Sequence, residues 1–453
     1  MKGRKIAAFL CATMISGMLA GCGSDAPASA TESSTESSTE AAASGEAEAS
    51  GEIGGTITVI TNRTDLVDTK LADYKKAFEE KYPGTEVKFE AITDYEGDMA
   101  IRMQTEEYGD VLSVPEYLGT GDLPTYFEPL GTPEELSQKY EEKYLYKKYF
   151  NGQVYGLAST VNVQGLVYNK KVFADAGIEK LPTTPDELLE DLRLIKEKTD
   201  AIPYYTNFAA GWPLNQWQDH CWGAVSGDPD YRFNGMPHEA EPFSPGKPNY
   251  IVEKLLYDIV KEGLCEDDPV TTDWEESKVM MNNGEIGVMT LGLWSVTQMQ
   301  AAGPNADDIG YMPFPYNIDG KQYATAGPDY CFGINVHSKN KATARAWIDY
   351  VIDESGFAVS EGGVSIVKGA ELPESLSAFA NVEMITDNPA TEENDGLLDA
   401  LSNESEIGLY AEPEKVRIVE AAMGTRNESF DDIMNDWNAR WQEAQQEEGV
   451  TAE

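Results

Sequence analysis

An α/β fold divided between two domains is what this sequence predicts, and three observations carry it. Strand and helix patterns alternate from about residue 55 to 115, and a second alternation begins near residue 153. The roughly 400 residues beyond residue 52 also exceed what one ordinary hydrophobic core fills.

GTITVIT, residues 55–61, alternates Ile57 and Val59 with threonines and reads as a strand. In DTKLADYKKAFEEKYPG, Leu71, Tyr74 and Phe78 recur at helical spacing, and Pro83-Gly84 ends the run. TEVKFEAI follows as a strand, then a polar amphipathic stretch, then GDVLSVP as a third strand. That succession implies a parallel sheet with helices on its faces. In the second block QVYGLAST and NVQGLVYN each read as one strand. TTPDELLEDLRLIKEKTD is a helix with Thr184 as N-cap, Pro185 at the first helical position and Glu187 completing a capping box. Leu188, Leu192 and Ile195 share its inner face. Helices at NYIVEKLLYDIVKEG, DWEESKVMMNNG and KATARAWIDYVIDE then alternate with strands EIGVMTLG, DIGYMPFP and CFGINVH, with no solenoid repeat.

The first 21 residues have a different character. Lys2, Arg4 and Lys5 precede an apolar run from Ile6 to Leu19, broken by Ser16 and Gly17, and small residues Ala20 and Gly21 follow. This is an export signal, too interrupted for the roughly 20 apolar residues of a membrane span. Leu19-Ala20-Gly21-Cys22 resembles the lipobox of bacterial lipoproteins, in which the cysteine is diacylated and the peptide is cut before it. Residues 22–52 are then the lipidated Cys22 and a tether of Ser, Thr, Ala, Gly and Glu, too poor in apolar residues to fold. A flexible chain of that length reaches roughly 30 Å.

The chain carries a formal charge of −45, and loss of the three leader cations deepens it. Nucleic acid and anionic lipid need clustered cations, so neither is expected as a partner, and the membrane is met only through the anchor. Beyond Cys22 the mature chain has Cys221, Cys265 and Cys331, at spacings that suit neither short-range pairing nor a metal. Buried free thiols are the default reading, with one disulfide and one thiol the alternative. His220, His238 and His337 give no zinc pattern, and no metal or cofactor is expected.

NGQVYGLASTVNVQGLVYNKKVFADAGIEKLPTTPDELLEDLRLIKEK resembles the signature stretch of the extracellular solute-binding proteins of ABC importers, in the group that binds maltose and other oligosaccharides. So do MNNGEIGVMTLGLWSV and IGYMPFPYNIDGKQYATAGPDYCFGINVHSKNKATARAWIDYVID, in the same order. The resemblance implies a periplasmic-binding-protein-like fold of two lobes, each a sheet flanked by helices, with ligand in the cleft between them. The first lobe is expected from residues 53–160 and 327–370, the second from 161–326 and 371–453. It also implies a monomeric, lipid-anchored protein on the outer face of the bacterial cytoplasmic membrane. Such a protein captures a carbohydrate and passes it to the importer's permease subunits.

A pyranose has an apolar face and a hydroxyl rim, so its site needs aromatic plates beside planar donors and acceptors. Asn62, Arg63 and Asp65 follow the first strand, where the family presents polar groups, and Glu116 follows the third. Asn162 takes a place where relatives contact ligand, and Asp329 and Tyr330 lie where the chain re-enters the first lobe. Trp294, between a strand and a helix, matches a stacking position. Trp212, Trp217 and Trp222 are spaced by five and cannot share one helical face. Trp212 and Trp217 are therefore taken as cleft residues and Trp222 as core, while Trp274, Trp347, Trp437 and Trp441, at helical positions, are read as core or helix-packing residues.

Two other readings remain. Asp65, Glu116 and Asp329 are also the carboxylates a polyamine would need, with the same aromatics serving a cation, and a peptide is a further solute of that kind. A secreted glycosidase needs two carboxylates about 5–10 Å apart, which so acidic a chain supplies by chance. No Ser-His-Asp arrangement, phosphate loop or metal spacing supports an enzyme, and none is expected. Cys22→Ala is expected to release the protein from membranes into the medium, as read by fractionation, and retention on the membrane would refute the lipobox.

Overall fold

The computed structural model describes residues 51–452 apart from Asp65, Pro269 and Val270, so the leader, Cys22 and nearly all of the tether lie outside the described residues. Two large mixed sheets organise the rest. In the five-stranded sheet the order is Thr85–Ala91, Gly55–Thr61, Val111–Ser113, Cys331–Ile334, Leu157–Ala158. The first three strands run parallel, with Ile57 beside Val87 and Val59 beside Val111. Helices pack on both faces, to which alternate residues of the strands point. Ile57 and Val59 pack with Phe78 and Trp347 of the helices Lys70–Lys81 and Lys341–Asp353, while Ile60 and Leu112 pack with Tyr95 and Met99 of the helix Tyr95–Arg102.

The second sheet has seven strands centred on Val161–Asn169, which pairs antiparallel with Lys321–Pro328, Ile286–Gly292 and Ile309–Met312. The expected all-parallel arrangement is thus not found: in this sheet Ile202–Tyr204 runs parallel to Ile286–Gly292 and Lys321–Pro328 parallel to Glu383–Ile385, while the other pairs are antiparallel. A second core lies beneath this sheet, where Leu166 and Val288 meet the helices Pro185–Lys198, Pro248–Lys261, Glu412–Met423 and Phe430–Glu447.

QVYGLAST does not form one strand. Gln153–Val154 makes a small hairpin with Tyr149–Phe150, while Leu157–Ala158 joins the five-stranded sheet. Between them Gly156 passes so close to Cys331 that an added Cβ would lie 2.9 Å from the cysteine Cβ. At the helix Pro185–Lys198 the Thr184 hydroxyl accepts from the Glu187 N–H at 3.2 Å, as expected of an N-cap. The capping box is not closed on Thr184, however. The Glu187 carboxylate accepts instead from the Thr183 N–H at 2.7 Å, one residue upstream.

The chain passes between the sheets at residues 159–160 and again at 329–330. The two passages are bonded to each other. Ala326 pairs with Val163 and Pro328 with Val161 in the second sheet, and Cys331 pairs with Ala158 in the first, in one unbroken antiparallel register. Asp329 N donates to Thr160 O at 2.9 Å and Ser159 N to Tyr330 O at 2.9 Å across the gap. Val161 and Val364 exchange two further backbone hydrogen bonds beside them. A single two-stranded ribbon therefore runs through both halves of the molecule.

The second core also encloses a polar network. Lys415 forms an ion pair with Glu253 and donates to Gln218 Oε1 at 3.0 Å, and Gln218 donates to Asn249 Oδ1 at 3.0 Å. All four residues are 1% exposed or less. Removing one partner of such a pair strands the other charge in the core. Lys415→Met is expected to lower unfolding free energy by about 3–5 kcal/mol in urea titration. Lys415→Met combined with Glu253→Leu is expected to recover much of that loss.

Candidate functional site

Strand ends bring polar side chains together around the ribbon, and a cavity of ≈ 490 Å³ opens beside it. At the end of Gly55–Thr61 the chain turns, with Arg63 N donating to Thr61 Oγ1 at 3.0 Å, and presents Asn62 and Arg63 to the cavity. The Arg63 guanidinium lies 2.5 Å from Glu361, which also pairs with Lys70 at 2.9 Å. On the ribbon itself Asn162 Nδ2 donates to Asp329 Oδ2 at 3.0 Å, and Asp329 Oδ1 accepts from Tyr330 N at 2.8 Å. Burial, then the nearby Glu96 charge, pushes the Tyr330 hydroxyl up to about 12. It is therefore a donor at neutral pH, directed at Glu96 across 3.4 Å.

The opposite wall is one face of the helix Trp294–Ala301, where Trp294, Thr297, Gln298 and Ala301 recur at helical spacing. Trp294 belongs to a cluster of three half-buried tryptophans. Its ring centroid lies 5.8 Å from that of Trp212 and 5.8 Å from that of Trp274, and Trp212 and Trp274 are 5.0 Å apart.

The local backbone holds these rings. Glu266, whose carboxyl is raised by burial against the hydrogen bonds it accepts, receives the N–H groups of Thr206 at 2.8 Å and Asn207 at 3.2 Å. Asn207 has φ 53° and Gly211 φ 74°, so the loop turns twice through left-handed conformations before Trp212. Trp274 opens its helix behind Asp273, whose side chain accepts from the Glu276 N–H.

Residues 62–356 match the family model described as bacterial extracellular solute-binding protein. The chain belongs to this family. Among solved structures, it is 39% identical to a mannobiose-bound binding protein of an ABC transporter from Bifidobacterium animalis subsp. lactis. That comparison covers 87% of this chain and 95% of the other, with a TM-score of 0.76. A manno-oligosaccharide-specific solute-binding protein of the same organism, bound to mannotriose, is 37% identical over the same shares, also with a TM-score of 0.76. Among curated proteins, the diacetylchitobiose binding protein of Streptomyces coelicolor is 36% identical over 160 residues, a match that spans 34% of this chain and 36% of that protein. The relatives are binding proteins rather than enzymes.

Of the residues chosen from the sequence of this solute-binding protein, Asn62, Arg63, Asn162, Trp294, Asp329 and Tyr330 line the cavity. Trp212 is not among the lining residues and packs on Trp294, which is. Asp65 lies outside the described residues. Glu116 is not among the lining residues and is held by Lys147 at 3.1 Å and Lys148 at 3.6 Å. Trp217 requires correction: at 1% exposure it lies in the second core against Tyr204 and Phe314, with no face open to a ligand. Trp222, Trp437 and Trp441 are buried as expected.

Of the other two tryptophans read as core or helix-packing residues, Trp347 is buried in the first core as expected, whereas Trp274 is only partly buried against it. Trp274 is half-buried in the tryptophan cluster, and Trp347, though 3% exposed, has a flank on the cavity. Lys70, Glu361 and the Thr297–Gln298 pair were not anticipated. Only the last had a signal, since WSVTQMQA repeats its polar residues with helical period beside Trp294.

Trp294→Ala is expected to weaken ligand binding by about 1–3 kcal/mol in calorimetric titration while leaving the fold intact. Trp217→Ala is expected to do the opposite, costing about 3–5 kcal/mol of stability with the affinity of the folded protein unchanged.

Proposed function

We propose that this solute-binding protein captures a neutral oligosaccharide, with manno-oligosaccharides the first candidates, and delivers it to the permease of an ABC importer. One observation carries the reading: the charges at the cavity answer one another while Trp294, packed on Trp212 and Trp274, lines it beside them. Arg63 and Lys70 are balanced by Glu361, and Asp329 receives the amide of Asn162. A site of that kind favours hydroxyls and an apolar sugar face over an ion. The mannobiose and mannotriose complexes of the two bifidobacterial proteins support the choice of sugar. A polycation is less well served, because Glu116 is engaged by two lysines.

In this reading the protein binds and releases its ligand unchanged. The first lobe takes residues 53–160 and 327–370 and the second 161–326 and 371–453, with closure by twisting of the shared ribbon. Cys22 carries the lipid anchor, residues 23–52 form the tether, and the protein acts as a monomer at the outer face of the membrane. Among the described residues no helix is long and apolar enough to cross a membrane, and no group of three or more His, Cys, Asp or Glu could hold a metal ion.

Calorimetric titration against manno-, chito- and malto-oligosaccharides, monosaccharides and polyamines tests the proposal, with each recovered ligand weighed by mass spectrometry. Micromolar or tighter binding of an intact glycan is expected. Heat from polyamines alone would sink the carbohydrate assignment, and a cleaved glycan would sink the transport role.

A further inference from the structure

The loop that follows the strand Val111–Ser113 carries an aromatic side chain that the core does not use. Tyr117 is 48% exposed, whereas Tyr95, Tyr108 and Phe127 of the same neighbourhood are 4% exposed or less. A lone exposed tyrosine needs no explanation by itself. What sets this one apart is how its loop is tied, and to which residues.

The ties meet at Glu116, the residue before it. The Glu116 N–H donates to the Glu96 carboxylate at 3.1 Å, and the hydroxyl of Tyr330, which lines the cavity, donates to the same carboxylate at 3.4 Å. The Glu116 carboxylate holds Lys147 at 3.1 Å, and the Lys147 ammonium also donates to the backbone oxygen of Asp329, a second lining residue, at 3.4 Å. On the buried side Lys148 Nζ donates to Pro115 O at 3.0 Å. Tyr117 looks to the same centre. Its hydroxyl lies 3.6 Å from Met103 Sδ, and burial, then the Glu96 charge, raises its pKa, so it stays protonated at neutral pH. Tyr117 is not among the lining residues, yet its loop is one carboxylate away from Tyr330, which is.

A ring on a loop tied in this way has few alternative positions, so a ligand that meets it finds little left to order. The partly exposed Glu116 carboxylate and Lys147 ammonium stand next to it. An apolar plate with an acceptor and a donor at its edge is the combination that suits a pyranose.

We propose that Tyr117 is the platform of a further sugar subsite on the cavity rim beside Tyr330, which receives the units of an oligosaccharide that extend out of the cavity. This rests on the carbohydrate reading and deepens it: the preferred ligand is a chain long enough to reach Tyr117 rather than a disaccharide.

The test titrates the mature chain and its Tyr117→Ala and Tyr117→Phe variants with manno-, chito- and malto-oligosaccharides, each series running from disaccharide to hexasaccharide. In the series that binds, wild-type affinity is expected to rise with chain length. Tyr117→Ala is expected to remove about tenfold from the affinity of the longest chains, as truncation of a moderate aromatic anchor does, and to spare the shortest. Tyr117→Phe keeps the plate and is expected to keep the gain with length. An exposed position tolerates both substitutions without loss of the fold, as the thermal transition checks.

Wild-type affinity that does not change with length would overturn the subsite and leave the carbohydrate reading intact. So would a Tyr117→Ala variant that binds every length as the wild type does, one that loses short and long chains equally, or a Tyr117→Phe variant that loses as much as Tyr117→Ala. Silence from all three series at every length would overturn both readings.

Discussion

The antiparallel ribbon formed by residues 157–163 and 326–332 is the constraint on which the rest of this molecule depends. Its register is continuous from Leu157 beside Phe332 in one sheet to Val163 beside Ala326 in the other. The bonds of Asp329 to Thr160 and of Tyr330 to Ser159 close the gap between the sheets. Two passages bonded to each other can twist together, but neither can slide past its partner without breaking the ladder. The ribbon thereby fixes the register of one sheet relative to the other at this junction. Gly363, which lies so close to Thr160 that no side chain fits, packs against that junction.

The polar centre of the site is built on the ribbon rather than on a loop. Asn162 and Asp329 stand on its two strands, and their side chains bond each other at 3.0 Å. Groups on paired strands keep their spacing when peripheral loops move, which is what a specific set of hydrogen bonds requires. The tryptophans are held differently. Trp294 opens a helix directly after a strand, Trp274 opens another behind its Asp273 cap, and Trp212 follows a loop fixed by the buried Glu266 carboxylate. Three separate segments thus converge, and ring packing at 5.0–5.8 Å unites them.

Charge is distributed in the opposite sense. The chain as a whole is strongly acidic, yet the cavity pairs Arg63 and Lys70 with Glu361. An acidic exterior favours solubility, while the charged lining residues Arg63, Lys70, Glu361 and Asp329 sum to zero. The glutamate expected at the site, Glu116, is taken up by two lysines for the same electrostatic reason: carboxylates near cations pair with them before any ligand arrives.

Local order was legible in the sequence wherever a short-range rule governs it. The helix at Pro185–Lys198 followed from Thr184 and the spacing of Leu188, Leu192 and Ile195, and the strand at Gly55–Thr61 from its alternation. Asn62, Arg63, Asn162, Trp294, Asp329 and Tyr330 were legible because strand ends and family motifs mark their positions. Tertiary packing alone decided the rest. Trp217 and Trp274 are indistinguishable as residue types in short polar helices, and which was buried depended on the distant partners Phe314 and Trp294. The split of QVYGLAST depended on the close approach of Gly156 to Cys331, and the pairing of Glu361 with Arg63 joins residues far apart in the chain. Periodicity records what each segment prefers within a few residues. Contacts between remote segments leave no such trace, because either member could have met many other partners.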